Sequence, residues 1–316
     1  MITSSRFTRI GVVGFGLILL FTTYLPCDIT AAAAAVIPHL DRRIASAHAS
    51  NPSDELQHFA EDIVHRLSNT ESFGGWSSAE LAIEALGPGT HAWLVTVGSS
   101  VGYLIISAKE EGGYALIEYG RGSLPLFGRT QLDHTLTSLA LNKDHLKVEK
   151  FYAGPTLAQW KLTQTGTNSM RIATYLDALS GELLPETDAS IYKQRVAWLN
   201  TSHTVSNSEL QFPKLNEITA NAFNPYDNML WLTRKAVLSS YTAIPVQLMQ
   251  NKQLVFTSQG GTRTYSTALP LNGMQRWTGS PSIPDVVYLF SQSETSERWI
   301  ALSSLEASGQ FYNTNP

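Results

Sequence analysis

The chain has 316 residues, 43% of them hydrophobic and only 15% charged, with a formal net charge of −4. That size is enough for two modest packed domains, and the sparse, slightly acidic charge excludes the concentrated basic footprint of a nucleic-acid binder. A single cysteine, Cys27, rules out an intrachain disulfide framework.

Arg6 and Arg9 precede an apolar run from Ile10 to Leu25, Asp28 lies beyond it, and small residues follow from Ala31 to Ala35. This is the layout of an export signal or of a short single-pass anchor. The run falls short of the roughly 20 residues of a spanning helix. Ala31-x-Ala33 or Ala33-x-Ala35 fits a cleavage site, so removal is the favoured expectation and a retained membrane anchor the alternative. Either outcome places the rest of the chain outside the cytoplasm, secreted or held at the cell envelope. Cys27 follows Tyr24-Leu25-Pro26, whereas a lipid-modified cysteine wants a small residue before it. Cleavage after Ala33 would leave no thiol at all, and with it no cysteine-protease or thiol-redox chemistry.

The segments then read as 1–35 signal or anchor, 36–50 spacer, 51–185 a first folded unit, 186–215 linker and 216–316 a β-rich second unit. The expected class is α+β: two small domains, each an antiparallel sheet packed with short helices. Asn51-Pro52-Ser53-Asp54 supplies a cap, a proline at the first helical position and an early acid. Leu56, Phe59, Ala60, Ile63, Val64 and Leu67 follow at helical spacing. His58 and His65 stand seven apart but lack a third ligand nearby, so they read as rim residues and not as a metal pair. Ser77-x-x-Glu80 predicts a short helix through Leu86, closed by Gly87-Pro88-Gly89. Strands are expected at 91–97, 101–108 and 113–119, the last two joined by Glu110-Glu111-Gly112-Gly113. Thr130-x-x-Asp133 caps a further helix, and strands at 148–152, 158–164 and 171–177 lead to the Ser180-Gly181 turn.

Gly102-Tyr103-Leu104-Ile105-Ile106-Ser107-Ala108, with Ala115-Leu116-Ile117-Glu118-Tyr119 and Gly120, resembles the core hairpin of streptopain-type propeptides. Tyr175-Leu176-Asp177-Ala178 with Ser180-Gly181-Glu182 is similar to the closing strand and turn of PepSY-like modules. Gly87-Pro88-Gly89-Thr90-His91 and the ending Gly309-Gln310-Phe311-Tyr312 also resemble uncharacterised exported proteins of Gram-positive spore formers. The resemblance implies small helix-plus-antiparallel-sheet domains of the bacterial envelope that inhibit or chaperone a peptidase. The chain departs from the prosegment pattern downstream, where it has no cysteine and no histidine after His203. An inhibitory module of this kind would act on another chain.

The linker is polar around Asn200 to Ser208, with one short helix expected at Ile191 to Leu199. Asn224-Pro225-Tyr226-Asp227-Asn228 is a turn that opens the second unit, and Met229-Leu230-Trp231-Leu232 reads as core. Strands are expected at 254–257 and 262–269 around Gln259-Gly260-Gly261, and at 286–290 and 298–302 around Ser293 to Ser296. A helical turn from Leu302 stops at Gly309, after which Phe311 and Tyr312 pack back onto the sheet.

No HExxH, P-loop or paired zinc-ligand spacing occurs, and no catalytic, cofactor-binding or metal-binding residue is assigned. His91 reads as a strand-end surface residue, and Asp227 and Asp285 are explained by turn chemistry. Seven tryptophans and twelve tyrosines suit a binding protein. Trp76, Trp277 and Trp299 lie near element ends, where an aromatic ring can serve an interface, although each alone is more often core. Unpaired sheet edges can accept an extended peptide. The leading expectation is therefore a non-catalytic exported binding or regulatory module whose partner is another extracytoplasmic protein or peptide. A structural or assembly protein of the cell surface or spore is one alternative. A hydrolase whose polar groups converge from both units is the other.

Overall fold

The computed structural model describes residues 53–314 apart from 88, 99–101, 142–144, 166–170, 200–216, 238–239, 241, 259–264 and 280–284. The signal or anchor segment, the spacer, Cys27, His203, residues 200–215 of the linker and the Gln259-Gly260-Gly261 turn lie outside the described residues.

Leu56, Ala60, Ile63, Val64 and Leu67 form the buried stripe of helix α1 (Asp54–Ser68). Its cap is Ser53, not Asn51: the Ser53 hydroxyl accepts from the Leu56 N–H at 3.2 Å, and Asp54 and Glu55 sit in the positive first turn. A 3₁₀ segment, Glu71–Trp76, then buries Phe73 and Trp76.

The short helix expected between Ser77 and Leu86 is instead strand β1 (Leu81–Ala85). Leu81 and Ile83 turn inward while Ala82 and Glu84 face out. This two-residue period pairs with β2 (Ala92–Val97), Leu81 opposite Val97, and pairing of that kind outweighs a local cap signal. Strands β3 (Gly102–Ala108) and β4 (Tyr114–Gly122) complete the expected meander.

Helix α2 (Arg129–Ser138) starts after Gly128 without a side-chain cap, so the Thr130 signal is displaced. Strands β5 (Leu146–Tyr152), β6 (Ala158–Thr165), β7 (Arg171–Asp177) and β8 (Leu183–Leu184) then pair in order as a four-stranded antiparallel sheet. The linker helix is present as α3 (Asp188–Leu199), and Ile191 and Trp198 tie it to the core of that sheet.

The remaining elements are β9 (Glu217–Thr219), a 3₁₀ turn Met229–Thr233, α4 (Ala243–Asn251), β10 (Leu254–Ser258), β11 (Ala268–Leu271), β12 (Gly273–Trp277), β13 (Val286–Gln292), β14 (Ser296–Ala301), α5 (Leu302–Glu306) and β15 (Gly309–Asn313). Helix α4 and strands β9 and β12 were not anticipated; of the strand expected at 262–269, residues 262–264 lie outside the described residues and the described part begins at Ala268. Phe311 does fold back, fully buried, with β15 paired to β10.

The class is α+β with antiparallel sheets. The division at 186–215 does not, however, separate two sheets. The largest sheet runs β1-β2-β3-β4-β14-β13-β12-β9, with β4 hydrogen-bonded to β14 from the far half of the chain. Gly120 makes that junction possible: a Cβ there would lie 2.5 Å from the Glu297 carbonyl and 2.7 Å from the Tyr103 ring.

The two faces of this sheet are covered differently. One carries Val95, Leu104, Tyr119, Trp277, Tyr288 and Trp299 and packs beneath α1 and the 3₁₀ segment. The other is shared by two small sheets. Tyr103, Ile105 and Ile117 pack against the four-stranded sheet, whereas Val287, Leu289 and Ile300 pack against the three-stranded sheet β11-β10-β15.

Of two sequence expectations about apolar residues, one holds and one reverses. Trp76, Trp277 and Trp299 are buried, the core placement expected of each taken alone, and none serves as a surface anchor. Conversely, Met229, Leu230 and Leu232 are 49%, 59% and 53% exposed, and of that cluster Trp231 alone enters the core. No helix among the described residues is long and apolar enough to cross a membrane.

Candidate functional site

A charged residue in the interior of an apolar strand must find a partner. Glu118 stands in such a strand, Ala115-Leu-Ile-Glu-Tyr-Gly120, and is fully buried. The β3–β4 register slips between Ile105 and Ile106, a bulge that resets the alternation of faces. Leu116 and Tyr119 consequently belong to the α1 side, while Ile117 joins the opposite core and Glu118 meets groups there.

Arg298 of β14 donates to Glu118 from Nε at 2.7 Å and from Nη2 at 3.0 Å, and Nη2 also donates to the Pro155 carbonyl at 2.7 Å. Tyr103 donates to Glu118 Oε1, and Tyr152 to Oε2 at 3.4 Å. Burial, reinforced by the neighbouring Glu118 charge, pushes both tyrosines well above the ordinary phenol range, so both stay protonated donors. For Arg298, burial opposes the charge, yet Glu118 and the tyrosines hold it above the ordinary arginine value.

Two features of this cluster are incomplete. Among the described residues Nη1 of Arg298 finds no hydrogen-bond partner, although the residue is only 5% exposed. Ser296, two positions earlier on the same face of β14, is 3% exposed, and its buried hydroxyl also lacks a partner. Both residues line a cleft of about 390 Å³, within the size range of ligand pockets. The cleft follows the gap between the two small sheets, and the β13–β14 hairpin forms its floor. One wall is the β7–β8 turn with Leu179 and Leu184, and the other is β11 with Leu269 and Pro270. The walls are tied together: Tyr265, beside β11, donates to Glu186 at 2.7 Å, and Glu186 also accepts from Gln194 of α3 at 2.8 Å.

Acyl transfer by serine needs a base within hydrogen-bond reach of the hydroxyl. Among the described lining residues there is no histidine. Ser180 touches Asp177 Oδ1 at 3.1 Å, but that oxygen already accepts the N–H groups of Leu179 at 2.9 Å and Ser180 at 2.7 Å, which makes it the closure of a turn. The Ser293 hydroxyl accepts from the Ser296 N–H at 3.1 Å in the same manner.

Residues weighed from the sequence lie elsewhere. His58 and His65 are exposed on α1, and His58 meets Glu61 at 3.5 Å. His91 precedes β2 at φ 49°, where burial lowers its pKa, and its carbonyl accepts from the Ala108 N–H at 2.9 Å. Asp227 accepts from Asn224 at 3.0 Å, and Asp285 from the Gly279 N–H at 3.1 Å, both in turns. Gly98-Ser99-Ser100-Val101-Gly102 has the G-x-S-x-G spacing of a nucleophile elbow. It joins the antiparallel strands β2 and β3, not a strand to a helix as a nucleophile elbow requires, and residues 99–101 lie outside the described residues. A smaller depression of about 200 Å³ beside α3 holds Asp188, which Lys161 at 2.6 Å and Tyr175 keep below the ordinary carboxylate range. No group of three metal-ligating side chains occurs among the described residues.

Sequence reasoning assigned none of the cleft residues. The available signal was Glu118, a lone acid on an otherwise apolar strand. Comparison with family models, curated proteins and solved structures finds no match to the chain.

Proposed function

We propose that the chain is a non-catalytic exported binding or regulatory module that holds a segment of another extracytoplasmic protein in the cleft between its two small sheets. The observation that carries this reading is the cleft floor. A buried guanidinium is fixed by Glu118 yet keeps Nη1 unpaired, with no nucleophile–base pair beside it. The Gly102–Gly120 and Tyr175–Glu182 resemblance to propeptide and PepSY-like modules supports a peptidase as the partner class.

The test is recovery of partners from the native envelope by tagged full-length protein, with Ser266→Trp as the blocked control. Ser266 is an exposed residue on the cleft wall. The reading expects one stoichiometric peptidase, inhibited by the purified chain and lost with Ser266→Trp. Equal recovery by both proteins removes the cleft from the account. Sequencing the N-terminus of the same sample distinguishes a cleaved signal, with a start near Ala34, from a retained anchor beginning at Met1.

The exposed Met229, Leu230 and Leu232 favour a second reading, a structural or assembly protein of the cell surface. Recovery of the chain itself or of wall components alone would support that reading over the first.

A further inference from the structure

The cleft opposes two hydrogen-bonding surfaces of opposite kind. Its floor presents N–H donors from Arg298 Nη1. Its β11 wall presents acceptors. Thr267 accepts from the Ser258 N–H at 3.3 Å and stands beside the paired Ala268 and Thr257. In an antiparallel ladder the neighbouring residues then turn their own polar groups outward. Ala268 and Pro270 therefore direct their carbonyls away from β10, along the open edge of a three-stranded sheet. The outward donors are spent or missing: the Ala268 N–H faces the Tyr226 hydroxyl at 3.4 Å, and proline has none. This edge cannot pair freely with a second strand, yet it can accept.

We infer that the cleft recognises the main chain of an internal, extended peptide segment, giving a carbonyl to Arg298 and N–H groups to the β11 edge, and that it discriminates against a free C-terminal carboxylate. This deepens the binding reading above and rests on it. A peptide unit carries a donor and an acceptor pointing in opposite directions, which is the complement of an acceptor wall facing a donor floor. A carboxylate carries acceptors alone and leaves the wall unanswered.

Charge points the same way. Arg298 is already neutralised by bidentate contact with Glu118. The other acidic side chains of the lining are the carboxyl groups of Asp177 and Glu182. An incoming anion meets a net negative cleft, whereas a neutral carbonyl meets an unpaired donor and a lysine or arginine side chain meets the two acids. The apolar walls at Leu179, Leu184 and Leu269 suit the alternate side chains of an extended strand.

The experiment uses the full chain and a library of short fluorescent peptides, acetylated and amidated at their ends, read by anisotropy. Capped sequences carrying a basic residue are expected to bind. Replacing one central amide by an ester removes a single N–H and is expected to weaken binding about tenfold at one or two positions only. Ser266→Trp abolishes binding. Because the ester scan alters the ligand, it remains informative if Arg298 variants fail to fold. An ester scan flat at every position overturns the inference. So does a free carboxylate terminus that binds tenfold tighter than its capped counterpart, although the binding reading survives that result. Full-length partner capture without any peptide binding likewise overturns the inference alone. Absence of both capture and peptide binding overturns the binding reading with it.

Discussion

The two faces of the large sheet are made from the same strands but solve different problems. Beneath α1 the face is closed by aromatic rings: Tyr119 stacks on Trp299 with centroids 5.4 Å apart, and Phe73 meets Trp299 edge-on at 5.1 Å. Its polar atoms are neutral, and Tyr119 and Trp277 both donate to Gln275 Oε1, although Trp299 Nε1 is buried without a hydrogen bond. Across the sheet two separate small sheets share the cover, and the gap between them has an ion pair for a floor. Apolar packing closes a surface. A fixed charge with a spare donor leaves one unclosed, at a cost in stability.

The largest expected effect breaks the charged face. Glu118→Ala leaves Arg298 buried without its anion, and loss of one partner from a buried pair costs about 3–5 kcal/mol. Urea unfolding of the full chain should show that drop in midpoint. A loss under about 1 kcal/mol would mean that water entering from the cleft replaces the carboxylate at the guanidinium. Tyr119→Phe, on the aromatic face, sharpens the contrast. Gln275 Oε1 keeps the Trp277 donor at 2.9 Å, so about 1 kcal/mol is expected. Equal losses for the two variants would erase the distinction between the faces.

Local structure was readable where it was local. The β2–β4 meander, the β5–β7 run and the α1 stripe all follow from periodicity in adjacent residues. The helix signal at Ser77 misled because a cap is a small energetic preference, set aside there by pairing with β2, whereas the helix expected at Thr130 is present with its cap displaced to Gly128. Helix α4 escaped notice through Pro245 in its first turn. The union of β4 with β14 joins Gly122 to Ser296, and no local pattern encodes such a register. The cleft depends on that union: Glu118 and Arg298 are separated by 180 residues and become partners only across it. A lone acid in an apolar strand showed that a partner existed, not where it stood.

A smaller effect probes α5, which extends directly from β14. Glu306 is half-buried, its Oε1 lacks a hydrogen bond, and burial raises its pKa. For an acid raised in the folded state, both states are protonated below the unfolded value and no penalty exists. As pH rises through and above that value, the folded state holds the proton more tightly and stability falls, reaching a full penalty above the folded pKa. Glu306→Gln should therefore stabilise the chain at neutral pH, and the gain should vanish on acidification. Thermal midpoints of both proteins across that range test the sign. A gain that persisted in acid would assign the effect to packing instead.

The smallest effect on stability concerns the exposed apolar side chains of the 229–232 segment. Leu230 is 59% exposed beside the exposed Met229 and Leu232, and surface substitutions of this kind shift stability by no more than about 0.5 kcal/mol. Leu230→Ser should leave the unfolding midpoint unchanged while removing apolar area from the patch. The informative readout is association, measured by sedimentation of wild type and variant across concentration. If wild type self-associates and the variant does not, these side chains form an interface between copies, and the assembly reading gains on the cleft. If both remain monomeric, the 229–232 segment does not drive assembly, and the assembly reading loses the observation that favours it.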